Sequence, residues 1–233
     1  YYNNVITIGA GAYLEITGSQ RLTIGWGNTF NITGTIEDAK TADKSAIKPS
    51  LKVAAGITVN GSSALTTFNV TNAYIALSST CGTNKNATGK FVISFTNAIA
   101  DLSMFKQQYA CGTYDVDFID SVINVGANLV FLSPNAVVDV DNSNITVNSS
   151  FGNAGKFTLS NGSVMTVKSV LESTENGYNS GLTIVDKATL NVTGGVYSGY
   201  NTFSLVEACL LYSQTNGFFL KNRTEIIIII ENI

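Results

Sequence analysis

The chain contains no histidine and little charge, with Asp, Glu, Lys and Arg together making up 12% of its 233 residues. Lacking histidine, it lacks the commonest general base, the usual zinc ligand and the ordinary near-neutral pH switch. Arg21 and Arg223 are the only arginines and the net charge is −3, which argues against a phosphate-binding stripe and against nucleic acid as a partner. Proline is confined to Pro49 and Pro134, as expected where most strands are paired on both edges. No apolar run reaches the ~18–20 residues of a membrane span, so an anchor would lie outside this chain. Cys81, Cys111 and Cys209 form no C-x-x-C pair, which removes metal-site and thioredoxin-type spacing. In an oxidising compartment Cys81 and Cys111 are candidate disulfide partners, with Cys209 buried or paired between subunits. Three small buried thiols are the alternative. Beginning at Tyr1 rather than methionine, the chain reads as a mature or partial product.

Hydrophobic residues amount to 45%, enough for a continuous core, and their arrangement is rhythmic. An apolar-x-apolar unit returns every eight residues as Ile6/Ile8, Leu14/Ile16, Leu22/Ile24 and Phe30/Ile32. The offset recurs from Phe157/Leu159 to Met165/Val167, from Leu182/Ile184 to Leu190/Val192 and from Phe218/Leu220 to Ile226/Ile228. Alternation sets both apolar side chains of a unit on one face of a strand, and Gly, Asn and Asp fill the spaces between units.

The fold class is therefore all-β. Consecutive units in one phase, joined by turns that are not reliably two residues long, predict a single domain over 1–233. Its expected form is a parallel β-helix with three faces and a period of roughly 24 residues per turn. An antiparallel β-sandwich is the alternative, for which Asn60-Gly61, Asn161-Gly162, Asn176-Gly177 and Asn216-Gly217 would supply hairpin turns. The rhythm falters over 34–50 and 78–120, which read as irregular insertions. The first is expected to be an exposed loop or short helical excursion, and the second to hold the only sizeable helix, at about 98–109.

Residues 181–195 (GLTIVDKATLNVTGG) and 156–167 (KFTLSNGSVMTV) resemble rungs of right-handed parallel β-helix surface proteins. That group includes adhesin and autotransporter passenger domains and polysaccharide-active β-helix enzymes. The resemblance implies an elongated, adhesin-like extracellular module and no particular substrate.

Nine Asn-x-Ser/Thr sequons occur, at Asn31, Asn60, Asn69, Asn86, Asn144, Asn148, Asn161, Asn191 and Asn222. They are candidate N-glycosylation sites, and N-linked glycans would supply the solubility that charges do not. Asn86 and Asn161 fall in expected bends, whereas Asn31 and Asn191 fall on the outward phase of strand units. Asp115 and Asp117 lie 24 residues before Asp139 and Asp141. One period apart, the two pairs would stack as four carboxylates. Such a stack is a solvated face, a weak calcium candidate, or less readily the acid/base pair of a polysaccharide hydrolase. Tyr197 and Tyr200 are candidate exposed aromatics.

Near the C-terminus, Ile226, Ile227, Ile228, Ile229 and Ile230 put isoleucine on both faces of one strand. A solenoid end leaves unpaired backbone groups, so this strand is a candidate for intermolecular β-addition. The expected function is a non-enzymatic, glycosylated structural subunit at the cell surface or outside the cell, self-associating into a filament, wall or surface layer. It needs no cofactor beyond the possible calcium. The alternatives are a carbohydrate-binding or carbohydrate-active β-helix protein, or an adhesin fragment.

Overall fold

Apart from a break between Gly82–Thr83 and Phe105–Gln107, described strands three places apart in the chain pair in parallel, so the backbone winds as a solenoid with three sheet faces. The computed structural model describes residues 3–25, 27–59, 64–78, 82–83, 90–107, 113–169, 171–173, 181–194, 196–198, 202–206, 210–213, 218–220 and 225–229. The first face stacks ten strands, from Val5–Ile8 to Glu225–Ile229, and the second stacks nine, from Leu14–Ile16 to Leu210–Ser213. The third holds three strands, from Leu22–Ile24 to Gly82–Thr83, and then six more, from Phe105–Gln107 to Phe218–Leu220. This is the parallel β-helix expected from the repeat; an antiparallel sandwich is ruled out by the pairing. At about 4.8 Å per strand, ten strands make a stack on the order of 40 Å tall.

Alternation supplies the core. On the first face Phe30, Phe68, Ile93, Val116, Val138, Phe157 and Leu182 stand in one buried column. Ile32, Val70, Phe95, Phe118, Val140 and Leu159 stand in the next. Like residues therefore stack on like, with Phe95 and Phe118 rings 5.4 Å apart and Phe91 and Tyr114 rings 4.6 Å apart. Burying each such side chain contributes roughly 1.5–3 kcal/mol.

The period is not fixed. Val5 pairs with Thr29, 24 residues on, but Val138 pairs with Phe157 after only 19 and Phe157 with Leu182 after 25. Corner length absorbs the variation while the strands keep their inward phase.

One corner is nearly invariant in chemistry. Between first and second faces the chain passes through Asn72, Asn97, Asp120, Asn142, Asn161 and Asp186, each at φ between 44° and 53°. Asn and Asp tolerate this left-handed region better than other side-chain-bearing residues. Fully buried small residues follow: Ala73, Ala98, Ser121 and Ser143, and after one further residue Ser163 and Ala188. The serines form an internal ladder. Ser121 N–H donates to Ser143 Oγ at 2.8 Å, Ser143 N–H donates to Ser163 Oγ at 3.0 Å, and each hydroxyl donates onward to backbone carbonyls.

Two expectations about irregular segments are corrected. Residues 98–109 were expected to hold a helix, yet Ile99–Leu102 and Phe105–Gln107 are strands of the second and third faces. Ala98 is a corner residue, and Ala100, Leu102 and Phe105 point into the core. Residues 78–120 as a whole are not an insertion. Lys90–Thr96 and Thr113–Ile119 are seven-residue strands in register with each other, with Phe91/Ile93/Phe95 and Tyr114/Val116/Phe118 inside. Their long strands and 23-residue spacing break the eight-residue beat without breaking the solenoid.

Residues 34–50 run outside the three sheets and include a short 3-10 turn at Lys44–Ala46. They form a strap across outward positions of the second face. Ile36 and Ala39 pack on Ile99, with Ala42, Ile47, Tyr74 and Val122 around them. Tyr74, Ile99 and Val122 are registered neighbours on three successive strands. The strap thus covers an apolar stripe that would otherwise face water.

Candidate functional site

The strap brings together the most connected polar groups of the described surface. Asp38 turns the chain by accepting the Lys40 N–H at 2.9 Å and the Thr41 hydroxyl at 3.0 Å, and these bonds hold its carboxyl below the usual value. Ala39 N–H donates to Asn97 Oδ1 at 2.8 Å, and Asn97 Nδ2 reaches Ile36 O, Glu37 O and Asn72 Oδ1. One corner asparagine therefore holds both the strap and the corner below it. Further along, Lys40 Nζ donates to Asn142 Oδ1, whose Nδ2 donates to Asp120 Oδ1 at 2.6 Å.

At the start of the 3-10 turn, Lys44 Nζ lies 3.0 and 2.9 Å from the two oxygens of Asp101. Tyr74 donates its hydroxyl to Asp101 at 2.6 Å and Asn124 Nδ2 donates at 3.0 Å. Burial pushes the Asp101 carboxyl up, but the bonds from Lys44, Tyr74 and Asn124 and the Lys44 charge outweigh it and hold it below the ordinary value. Burial, then the hydrogen bond to Asp101, then its negative charge, push the Tyr74 phenol well above its ordinary value. A groove of about 700 Å³ opens beside this hub, lined by Lys44, Asp101, Asn124, Thr146, Asn148 and Lys168 among others. Its polar lining suits an uncharged polar ligand, although Asp101 itself is committed to three internal partners.

The carboxylate face expected from the 24-residue echo is assembled differently. The strands Thr113–Ile119 and Ala136–Asp141 are 22 residues out of step, so Asp117 pairs with Asp139, while Asp115 faces Val137 and Asp141 faces Ile119. The four carboxylates do not stack as two pairs. Asp141 instead receives both of its contacts from Asn161 Nδ2 at 2.8 Å. Burial, and then the charges of Asp115 and Asp139, push the Asp117 carboxyl up. Among the described residues no group of three or more His, Cys, Asp or Glu converges as a cation site.

The sequons divide by environment. Asn31 and Asn69 are half-buried and registered on each other, with Asn69 Nδ2 donating to Asn31 Oδ1 at 3.0 Å. Asn161 is exposed, but its amide is bound to Asp141. Asn144 and Asn148 are exposed on or beside the second face, and Asn191 is half-buried there. Asn60, Asn86 and Asn222 lie outside the described residues, as do Cys81, Cys111, Cys209, Tyr200 and Ile230. Tyr197 lies in the strand Val196–Ser198. Ile226, Ile227, Ile228 and Ile229 belong to Glu225–Ile229, the end strand of the ten-strand face.

The Lys44–Asp101 hub and the corner ladder are not evident from the eight-residue beat. A signal for the corners exists in the sequence: Asn or Asp followed by Ala or Ser at 72–73, 97–98, 120–121 and 142–143. The chain matches no protein-family model, and neither curated proteins nor solved structures give a match to it.

Proposed function

We propose that the chain is a non-catalytic structural module of a cell surface or extracellular assembly, in which copies stack end to end to continue the solenoid. The observation that carries this reading is the pair of sheet ends. Among the described strands, Glu225–Ile229 pairs only with Thr202–Val206, and Val5–Ile8 pairs only with Thr29–Thr33. At the first end Val5 is 66% exposed and Ile6 50% exposed, although Ile6 occupies an inward register position opposite Phe30. At the other end Ile226 and Ile228 register on Phe203 and Leu205. A second copy placed on that end would set Ile6 over Ile226 and Ile8 over Ile228 in a parallel pairing. The first face would continue across the junction, and a head-to-tail contact of this kind does not close on itself, so it propagates as a filament. The low charge supports the reading, since little repulsion opposes stacking. N-linked glycans at exposed positions such as Asn144 and Asn148 would keep the flanks soluble.

Sedimentation velocity over a concentration series, with negative-stain microscopy, tests the assembly. Filaments or concentration-dependent oligomers are expected, and Ile6→Lys or Ile228→Lys should abolish them while the circular dichroism of the monomer persists. A monomer at every concentration overturns the reading. For the glycans, intact mass of the protein from a glycosylating host should fall on enzymatic deglycosylation, and an unchanged mass counts against them.

A further inference from the structure

The strap presents one lysine to one asparagine in a fixed setting. Lys40 has little freedom at its backbone, because its own N–H is bound to Asp38 and the preceding N–H is bound to Asn97. Asn142 is held at φ 44° in its corner, with its N–H on Ser160 O and its Nδ2 on Asp120. Lys40 Nζ sits 2.5 Å from Asn142 Oδ1, across 102 positions of sequence. An amine nucleophile, a carboxamide and a carboxylate at the departing nitrogen are thus brought together by three separate segments of chain.

We propose that Lys40 and Asn142 form an intramolecular isopeptide bond, with Asp120 relaying the proton to the leaving group. Nζ, after losing one proton to water, attacks Asn142 Cγ, and the carbonyl electron pair moves onto Oδ1. Nζ then gives up a second proton to solvent. Nδ2 gains a proton through the Asp120 carboxylate to which it is already bound, and the Cγ–Nδ2 bond breaks. Ammonia leaves and the carbonyl re-forms as a secondary amide. Nothing is oxidised or reduced, and no other reactant is needed. The net change is one lysine ammonium and one carboxamide becoming an amide and an ammonium ion.

All three side chains are exposed, so protons and ammonia exchange directly with solvent. Positioning supplies the rate. Well-oriented intramolecular pairs reach effective molarities of about 10⁵–10⁸ M, and dilution of the released ammonia prevents return. The product bolts the strap to the Asn142 corner, four turns along the stack from its root, independently of any assembly between copies.

Intact mass spectrometry of the purified 233-residue chain, followed by peptide mapping, tests the bond. The expected result is a mass short by one ammonia, growing with time in mildly alkaline buffer, and a branched peptide joining Lys40 to Asn142. Lys40→Arg, which keeps the charge and the fold, should keep the full mass; Asp120→Asn should slow the loss at least tenfold. A full mass after prolonged incubation overturns the proposal. So does an ammonia loss that maps to a succinimide at Asn142 and survives Lys40→Arg. An unchanged rate in Asp120→Asn overturns the relay.

Discussion

Asp117 illustrates how a single residue's energetics follow from its registered neighbour. It is half-buried beside Asp139, with Asp115 on the same strand, and its carboxyl is pushed up from the ordinary value. A carboxyl with a folded-state pKa above its unfolded value binds more protons in the folded state across that interval. Stability therefore falls as pH rises from the ordinary carboxylate value through the raised one, and the penalty is full at neutral pH. Asp117→Asn should raise the thermal midpoint at neutral pH, and the gain should vanish in acid below both values. Solvent screening keeps the effect below about 1 kcal/mol. A pH series of thermal melts on both proteins measures it, and a gain that persists unchanged in acid would exclude the charge explanation. The substitution also recreates the kind of outward amide contact already made by Asn31 and Asn69.

Among elements, the first corner holds the solenoid's turns in step. Its asparagines satisfy the left-handed backbone, and its serines satisfy backbone groups buried behind it. Ser143 accepts the Ser121 N–H and donates to Phe118 O or Asp141 O. Ser143→Ala leaves the Ser121 N–H buried without that partner, at a cost of about 1–3 kcal/mol. Denaturant titration should show a lower midpoint with an unchanged slope, because the change is local and the surface exposed on unfolding is the same. The strap is the other element with a defined task. It shields Ile99, whose outward position would leave it in water, and leaves it only 2% exposed.

For the whole molecule, strand pairing among the described residues runs only between neighbouring turns, and the strap reaches further, so a defect within the stack should stay near where it is made. Phe118 is fully buried and stacks on Phe95 at the middle of the rod. Phe118→Ala should cost about 3–5 kcal/mol. Hydrogen exchange should then accelerate in Lys90–Thr96, Thr113–Ile119 and Ala136–Asp141, and much less in Val5–Ile8. Uniform acceleration along the stack would mean that the ten strands open as one cooperative unit instead.

Strand alternation was legible because it is a local property with a period of two. Phe30/Ile32 and Leu182/Ile184 declare an inward face without reference to any other strand, and the all-β parallel stack follows from them. The same alternation is present in Phe91/Ile93/Phe95, but the eight-residue beat hides it because corner length varies there. Register was not legible for the same reason. A 22-residue step, not 24, decides that Asp117 meets Asp139, and the corners that set it answer to packing rather than to a repeat. Nor does the sequence alone place Lys40 at Asn142 or Lys44 at Asp101, since a strap's path depends on which apolar stripe it must cover. The sequence by itself determined which side chains face inward and that the strands stack. Only the tertiary structure decided which outward groups become neighbours, because corner length sets the register of each strand pair while every strand keeps its inward face, as the 22-residue step that brings Asp117 to Asp139 shows.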